Sequence, residues 1–281
     1  MKSETIKTAA RVPFDYVTVR AARSRIGRGI LVIPVSLMHL FPSVPTEIVL
    51  VNGEGVEEAK TFRPNTDSGR ECRILGLRKF YIDNKVADGD EVVVQMLGRG
   101  RYRITSEAVF ERNVLQLEQQ IEVSDDEKET DALLNRLSQV TNVSVGEVAN
   151  NEFVRLATTD WDVRKTRVIA RARTKEGVPA ALRRILFELY HGKCQLTGFT
   201  FLTKAGIPYF EIHHINSSMG NHVKNLLVVC PNAHAQFTHA RLEQHFDSEG
   251  WLRRVEFNSE PYLVFQAVDR LGRAFEKSLH F

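Results

Sequence analysis

Between residues 14 and 104 apolar and polar positions alternate in short runs. The stretches "DYVTVRA", "GILVIPV", "TEIVLVN", "ECRILGL" and "DEVVVQML" are rich in β-branched residues and have the length of strands. The segments "VNGEG", "RPNTDSG" and "ADGD" separate them as turns. Short strands at this spacing predict an all-β barrel or sandwich, with "SLMHLF" and "RKFYIDNK" as short helices plugging its ends. The period then changes. "SEAVFERNVLQLEQQIEV" and "DEKETDALLNRLSQVTN" space their apolar residues as helices do, with Leu133, Leu134 and Leu137 on one side. The segment "SDDEKET" (124–130) suits the start of the second helix, where acidic side chains meet the positive end of the helix dipole. "VPAALRRILFELYHGKC" predicts a further helix. Beyond it the pattern reads strand (208–214), loop, strand (225–230), then a helix over 231–246 that opens on a proline. The tail from Trp251 alternates like a strand.

A chain of 281 residues is long enough for two domains with real cores, and 43% hydrophobic with 26% charged residues is ordinary for a globular protein. No apolar run approaches the roughly 18 residues of a membrane span. The opening "MKSETIKTAARVPF" lacks the apolar centre of a signal peptide, so the expectation is an intracellular protein. Cys72, Cys194 and Cys230 are too few and too scattered for a disulfide framework. The net charge of +3 is unevenly spread: residues 1–104 carry +5, 105–150 carry −7 and 151–281 carry +5. The acidic helical middle is read as a connector between two basic modules, and basic modules favour polyanions through counterion release. The segment "RKTRVIARAR" adds Arg164, Lys165, Arg167, Arg171 and Arg173 in ten positions.

Five of the nine histidines fall within residues 211–239: His213, His214, His222, His234 and His239. Adjacent side chains on a strand point to opposite faces, so His213 and His214 can take separate roles. On the helix, Thr238 shares a face with His234, four residues apart, whereas His239 is turned roughly 140° away. His245 is placed on the same helix, roughly 16 Å further along the axis and too far for a shared ion. His222, in the loop, is read as solvated or as a phosphate contact. Glu211 shares a strand face with His213 and is a candidate supporting group.

The segment "EIHHI … N … NLLVVCPNAH", within residues 185–246, resembles the HNH (ββα-metal) nuclease family. The resemblance implies that His214 is the general base, that His213 and His234 hold a divalent metal, and that Asn225 ties the loop to the base. Thr238, His239 and Glu211 are, from their places on the helix and strand, candidates for a supporting layer around the metal. Mg²⁺ is the expected ion, and an imidazole pair also suits Mn²⁺, Co²⁺ or Ni²⁺. Many relatives carry two C-x-x-C pairs for a structural zinc. Here those positions read "CQLT" and "CPNA", so no structural zinc is expected and Cys194 and Cys230 are read as small buried residues.

Residues 14–104, through the strand ending in "IP" and the segment "LRKFYIDNKVADGDEVVVQ", are similar to the pseudobarrel "B-three" DNA-binding domain of plant transcription factors, which also serves some bacterial restriction enzymes. Two arms of that family reach into the major groove. Here they would be "RAARSRIGRG" and "RPNTDSGRECR", with Arg20, Arg23, Arg25, Arg28, Arg63, Asn65, Asp67 and Arg70 as the contacting candidates.

Together these features predict an α+β chain with an N-terminal β-pseudobarrel recognition domain (1–104), a helical connector with a basic segment (105–178) and a C-terminal HNH nuclease domain with a β-rich tail (179–281). The expected activity is sequence-specific, metal-dependent hydrolysis of double-stranded DNA, of restriction type, in the cytoplasm of a bacterial or archaeal cell. One HNH site nicks one strand, so a homodimer is expected, with a cognate methyltransferase as a further partner and no membrane role. A modification-dependent endonuclease, a homing-type nuclease and a DNA-binding regulator with an inactive HNH module are the alternatives.

Overall fold

The computed structural model describes residues 4–7, 12–53, 55–64, 71–98, 100–159 and 177–271. The chain divides into two compact units. One comprises Met1–Glu118 with Gln139–Asn142, the other Gln119–Ser138 with Val143–Phe281. The stretch 105–178 is therefore divided between the two units.

The first unit is built on eight strands: β1 (Glu4–Lys7), β2 (Tyr16–Arg20), β3 (Ile30–Ile33), β4 (Thr46–Val51), β5 (Glu57–Arg63), β6 (Cys72–Leu75), β7 (Glu91–Gly98) and β8 (Arg101–Ser106). They form one sheet in the order β1-β2-β7-β8-β4-β5-β6-β3, antiparallel except for the parallel pair β4–β8. The last strand, β3, also lies against β2, so the sheet curls almost into a closed barrel. Alternate residues fill its interior: Leu31 and Ile33, Ile48 and Leu50, Cys72 and Ile74, Tyr102 and Ile104 are all buried in one cluster. The two expected plugs are present. The 3₁₀ turn Val35–Leu40 leads to Phe41, whose ring stacks on Phe62 and on Tyr102 at 5.2 and 4.4 Å between centroids. Helix α2 (Arg78–Asp83) buries Tyr81, whose hydroxyl donates to the Ile30 carbonyl at 2.9 Å. A four-residue helix, α1 (Arg23–Ile26), interrupts the first arm. Strands β1, β5 and β8 and helix α1 were not among the elements predicted above.

Helices α3 (Glu107–Val123) and α4 (Glu127–Thr141) match the expected pair and carry the chain across the unit boundary. The short return of residues 139–142 is bound into the first unit by backbone carbonyls. Gln95 Nε2 donates to the Val140 carbonyl at 2.8 Å, and Arg103 donates to that of Gln139. Asn142 Nδ2 donates to the Met96 carbonyl at 3.1 Å.

In the second unit, α5 (Val145–Thr158) starts at a capping box in which Ser144 and Glu147 satisfy each other's backbone N–H. Then come α6 (Ala180–Tyr190), a hairpin of β9 (Phe201–Leu202) and β10 (Pro208–Tyr209), strands β11 (Glu211–His214) and β12 (Leu226–Val229), and helix α7 (Pro231–His239). Strands β13 (Leu242–Phe246), β14 (Leu252–Phe257) and β15 (Glu260–Leu263) form a separate antiparallel sheet. The unbroken apolar run of β12 has a simple cause. Leu226 and Val228 face a cluster with α5, α6 and Trp251, while Leu227 and Val229 face one with Phe237, Val255 and Phe257. Its edge away from β11 is satisfied by Gln195. Gln195 N donates to the Val228 carbonyl at 2.9 Å, and its side-chain oxygen accepts from Val228 N at 2.7 Å.

The helix expected over 231–246 ends at His239 instead. Residues 242–246 pair with β14, Leu242 opposite Phe257, because that strand offers a ladder and an apolar face that outweigh helical propensity. His245 is therefore on a strand and not on the helix of His234. No helix among the described residues is long and apolar enough to cross a membrane.

Candidate metal and nuclease site

Strands β11 and β12 pair antiparallel, with His213 opposite Leu227 and His214 opposite Leu226, and α7 packs back against β11. Cys230 N-caps α7, Pro231 is its first residue, and His234 follows in the first turn, its N–H on the Cys230 carbonyl at 2.9 Å. This strand–loop–strand–helix arrangement brings the His213 and His234 rings to 5.3 Å between centroids, at 71°. Phe237, one turn on from His234, stacks on the His213 ring at 4.0 Å and holds its orientation. Burial, reinforced by nearby His234 and His214, pushes the His213 imidazole down to about 4. It is thus neutral near pH 7, with a lone pair to offer.

His234 is oriented from the other side. Its Nδ1–H donates to Glu211 Oε2 at 2.5 Å, and Glu211 Oε1 accepts from the Tyr209 hydroxyl at 3.0 Å. The His234 hydrogen bond, with that from Tyr209, holds the Glu211 carboxyl below its usual range despite partial burial. Carboxylate on Nδ1 leaves Nε2 of His234 as the nitrogen open to a ligand, an arrangement that raises the basicity of an imidazole. The separation of the two ring centroids is compatible with a shared first-row divalent ion. With a metal–nitrogen distance of about 2.1 Å, each ring centroid lies about 3.2 Å from the ion, and an angle of about 110° puts the centroids about 5.2 Å apart. Thr238 and His239 are exposed at the end of α7.

His214 points away from that pair. Its Nε2 meets Asn221 Oδ1 at 2.7 Å. With the amide oxygen accepting, Nε2 carries the proton and Nδ1 is the basic nitrogen. Asn225 is buried and clamps the loop between the strands. Its Oδ1 accepts from Asn216 N at 2.8 Å, and its Nδ2 donates to the carbonyls of Asn216 and Gly220 at 2.9 and 2.8 Å. Asn225 therefore acts on the loop, and Asn221, a residue the sequence reading did not single out, is the side chain that touches His214. Phe237 was missed as well, although its place three residues after His234 is the spacing of a helical neighbour. His222 is buried rather than solvated. Its Nδ1 accepts from Lys224 N at 3.2 Å and its Nε2 faces the Thr159 carbonyl at 3.3 Å.

Cys194 and Cys230 are buried, as expected for small core residues. Burial raises the Cys194 thiol, but hydrogen bonds from Thr197 and from the backbone of Cys230, Leu196 and Thr197 outweigh it and bring it below its ordinary value. Thr197 lies 4.0 Å from Cys230 Sγ, and Ala233 is buried in the same cluster. Two thiolates do not complete a tetrahedral zinc site. Glu243, His245 and Glu256 also bring three ligand atoms together, on β13 and β14, but Glu256 is already bound by Arg254.

In the first unit Arg20, Arg23, Arg28 and Arg63 are exposed. Arg25 is engaged: its Nη2 donates to both Glu71 oxygens, at 3.0 and 2.7 Å. Asn65, Asp67 and Arg70 of the second arm lie outside the described residues, as do Arg164, Lys165, Arg167, Arg171 and Arg173.

No family model and no curated protein matches the chain. Among solved structures, an Arabidopsis FUS3–DNA complex is similar to part of it. The likeness has 18% identity and a TM-score of 0.27 and covers 32% of this chain and 92% of that one.

Proposed function

We propose that this chain is a metal-dependent DNA endonuclease of HNH type, acting in restriction. The observation that carries the reading is the pairing of two imidazoles, His213 and His234, at 5.3 Å between ring centroids, with a third, His214, next to His213 on the opposite face of the strand and hydrogen-bonded to Asn221. A divalent ion held by His213 and His234, Mg²⁺ or else Mn²⁺, Co²⁺ or Ni²⁺, would neutralise charge on the scissile phosphate and the leaving oxygen. His214 Nδ1 takes the proton of the attacking water, a task for which imidazole is suited near neutral pH. Asn221 keeps Nε2 protonated and the ring in place. Asn225 holds the loop that carries Asn221. Glu211 and Tyr209 fix the His234 ring. The exposed arginines of the first unit, Arg20, Arg23, Arg28 and Arg63, supply phosphate and base contacts to double-stranded DNA. Two copies act together to cut both strands, and a methyltransferase of matching specificity protects the host sites.

The test is cleavage of plasmid and genomic DNA with Mg²⁺ or Mn²⁺ by wild type and by His214→Ala, followed by sequencing of the ends. Loss of a general base lowers the rate by about 10²–10⁴-fold. Equal cutting by the two proteins removes His214 from the mechanism. No cutting of modified or unmodified DNA by wild type leaves a DNA-binding regulator instead.

A further inference from the structure

From Leu189 to Phe210 the chain contains no Asp or Glu, while Lys193 and Lys204 fall within it. This acid-free stretch includes the β9–β10 hairpin, in which Phe201 is opposite Tyr209 and Leu202 opposite Pro208. The hairpin leaves apolar side chains in water: Phe199 is 53% exposed, Phe201 43%, Leu202 64% and Ile207 58%. Such exposure works against the hydrophobic effect, so a covering surface is expected. The rings of Phe199, Phe201 and Tyr209 form a ladder, with 6.2 and 5.2 Å between successive centroids. Each separation exceeds one base-pair rise of about 3.4 Å in duplex DNA. The ladder ends at the metal site, since the Tyr209 hydroxyl donates to Glu211, which in turn holds His234.

The hairpin is also braced. Thr203 N donates to the Ile207 carbonyl at 2.8 Å and Gly206 N to the Thr203 carbonyl at 2.9 Å across its turn. Its foot sits on Gly192, at φ +67°, where a Cβ would lie 2.6 Å from Pro208 Cβ.

We propose, resting on the nuclease reading, that this hairpin is a wedge that enters duplex DNA beside the scissile phosphate and unstacks a base step. Apolar side chains on a stiff support are the means by which proteins pry base steps apart, and exposed rings stack on the bases so released. The lack of Asp and Glu between residues 189 and 210, with Lys204 in the turn, fits a polyanion rather than a mixed-charge protein surface. The position next to His234 puts the wedge within a few base pairs of the cut.

The experiment uses the full chain carrying His214→Ala, so that DNA is bound but not cut. Relaxed plasmid is treated with topoisomerase I in its presence and the change in linking number is read. A second protein adds Phe201→Ser, Leu202→Ser and Ile207→Ser, and a third adds Lys204→Glu. The parent unwinds the plasmid, the triple-serine protein loses the topological shift, and Lys204→Glu reduces it. In the cutting-competent background, the triple-serine substitutions lower cleavage about 10–100-fold while Mn²⁺ affinity by calorimetry stays at the wild-type value. Unchanged unwinding or unchanged cleavage by the triple-serine protein overturns the wedge and leaves the nuclease reading standing. So does a shift from dimer to monomer in sedimentation with unwinding intact, which would mark the hairpin as a contact between copies. Hairpin-dependent unwinding by a chain that never cuts overturns the nuclease reading and leaves the wedge. Neither unwinding nor cutting overturns both.

Discussion

Replacing Asn225 with alanine tests how far the site depends on its loop clamp. The side chain makes three hydrogen bonds to backbone atoms of residues 216 and 220, and Asn225 is 2% exposed, so water does not replace them in the folded state. Each such bond is worth about 1 kcal/mol net. The loss is therefore about 3 kcal/mol, or about 6–12 °C in Tm for a unit of this size. The same change loosens the loop that carries Asn221, the partner of His214, and a misplacement of about 1 Å costs on the order of 10²-fold in rate. Asn225→Asp is the companion variant. It keeps the acceptor for Asn216 N but turns a carboxylate toward two carbonyls, so it is less stable than the alanine variant at pH 8 and recovers near pH 4, where the protonated acid regains one donor. Thermal unfolding at the two pH values, with plasmid cleavage in parallel, reads both effects. A Tm for Asn225→Ala within about 2 °C of wild type sinks the clamp as an energetic element.

Two further outcomes follow from the geometry. Glu211→Gln removes the carboxylate that orients His234, and Co²⁺ or Mn²⁺ affinity by calorimetry falls about 10–100-fold with the fold unchanged by circular dichroism; unchanged affinity would show that His234 needs no such support. Asp247 accepts from Arg253 Nε at 2.7 Å, Trp251 N at 2.8 Å and Glu249 N at 3.0 Å. Burial alone would raise its carboxyl, but these partners outweigh burial and hold it below the usual range. A depressed folded-state value contributes stability above about pH 4 that is lost as pH falls. Asp247→Asn is therefore destabilised at pH 7, and its Tm converges on that of wild type toward pH 3; a gap that stays constant with pH refutes the assignment.

Much of this architecture was legible because burial imposes a period. β12 reads as an unbroken apolar run since both its faces are covered, and β6 alternates, with Cys72 and Ile74 inward, since one face is. β5 was illegible for the same reason: in "EEAKTFR" only Phe62 enters the core, and the strand exists because β4 and β6 supply the ladder. β8 did carry a signal, with Tyr102 and Ile104 inward between arginines. The end of α7 was invisible because β14, which captures residues 242–246, lies later in the chain. That His213 and His214 stand on a strand and His234 on a helix could be read from the pattern, while the roles given to them came from the family resemblance. Asn221 and Phe237 could not, because the loop conformation and a ring contact decide them. Crowding of histidines was itself only half a signal: His222 is a buried support for its own turn.

The thread of the first unit has a consequence for how the protein is made. Its last four residues, 139–142, arrive only after twenty residues belonging to the other unit, and they close hydrogen bonds to Gln95, Met96 and Arg103 of strands finished long before. On the ribosome strands β7 and β8 stay without these bonds until helix α4 has emerged. A gene severed after codon 118 would yield a fragment lacking them, whereas one severed after 142 would keep them.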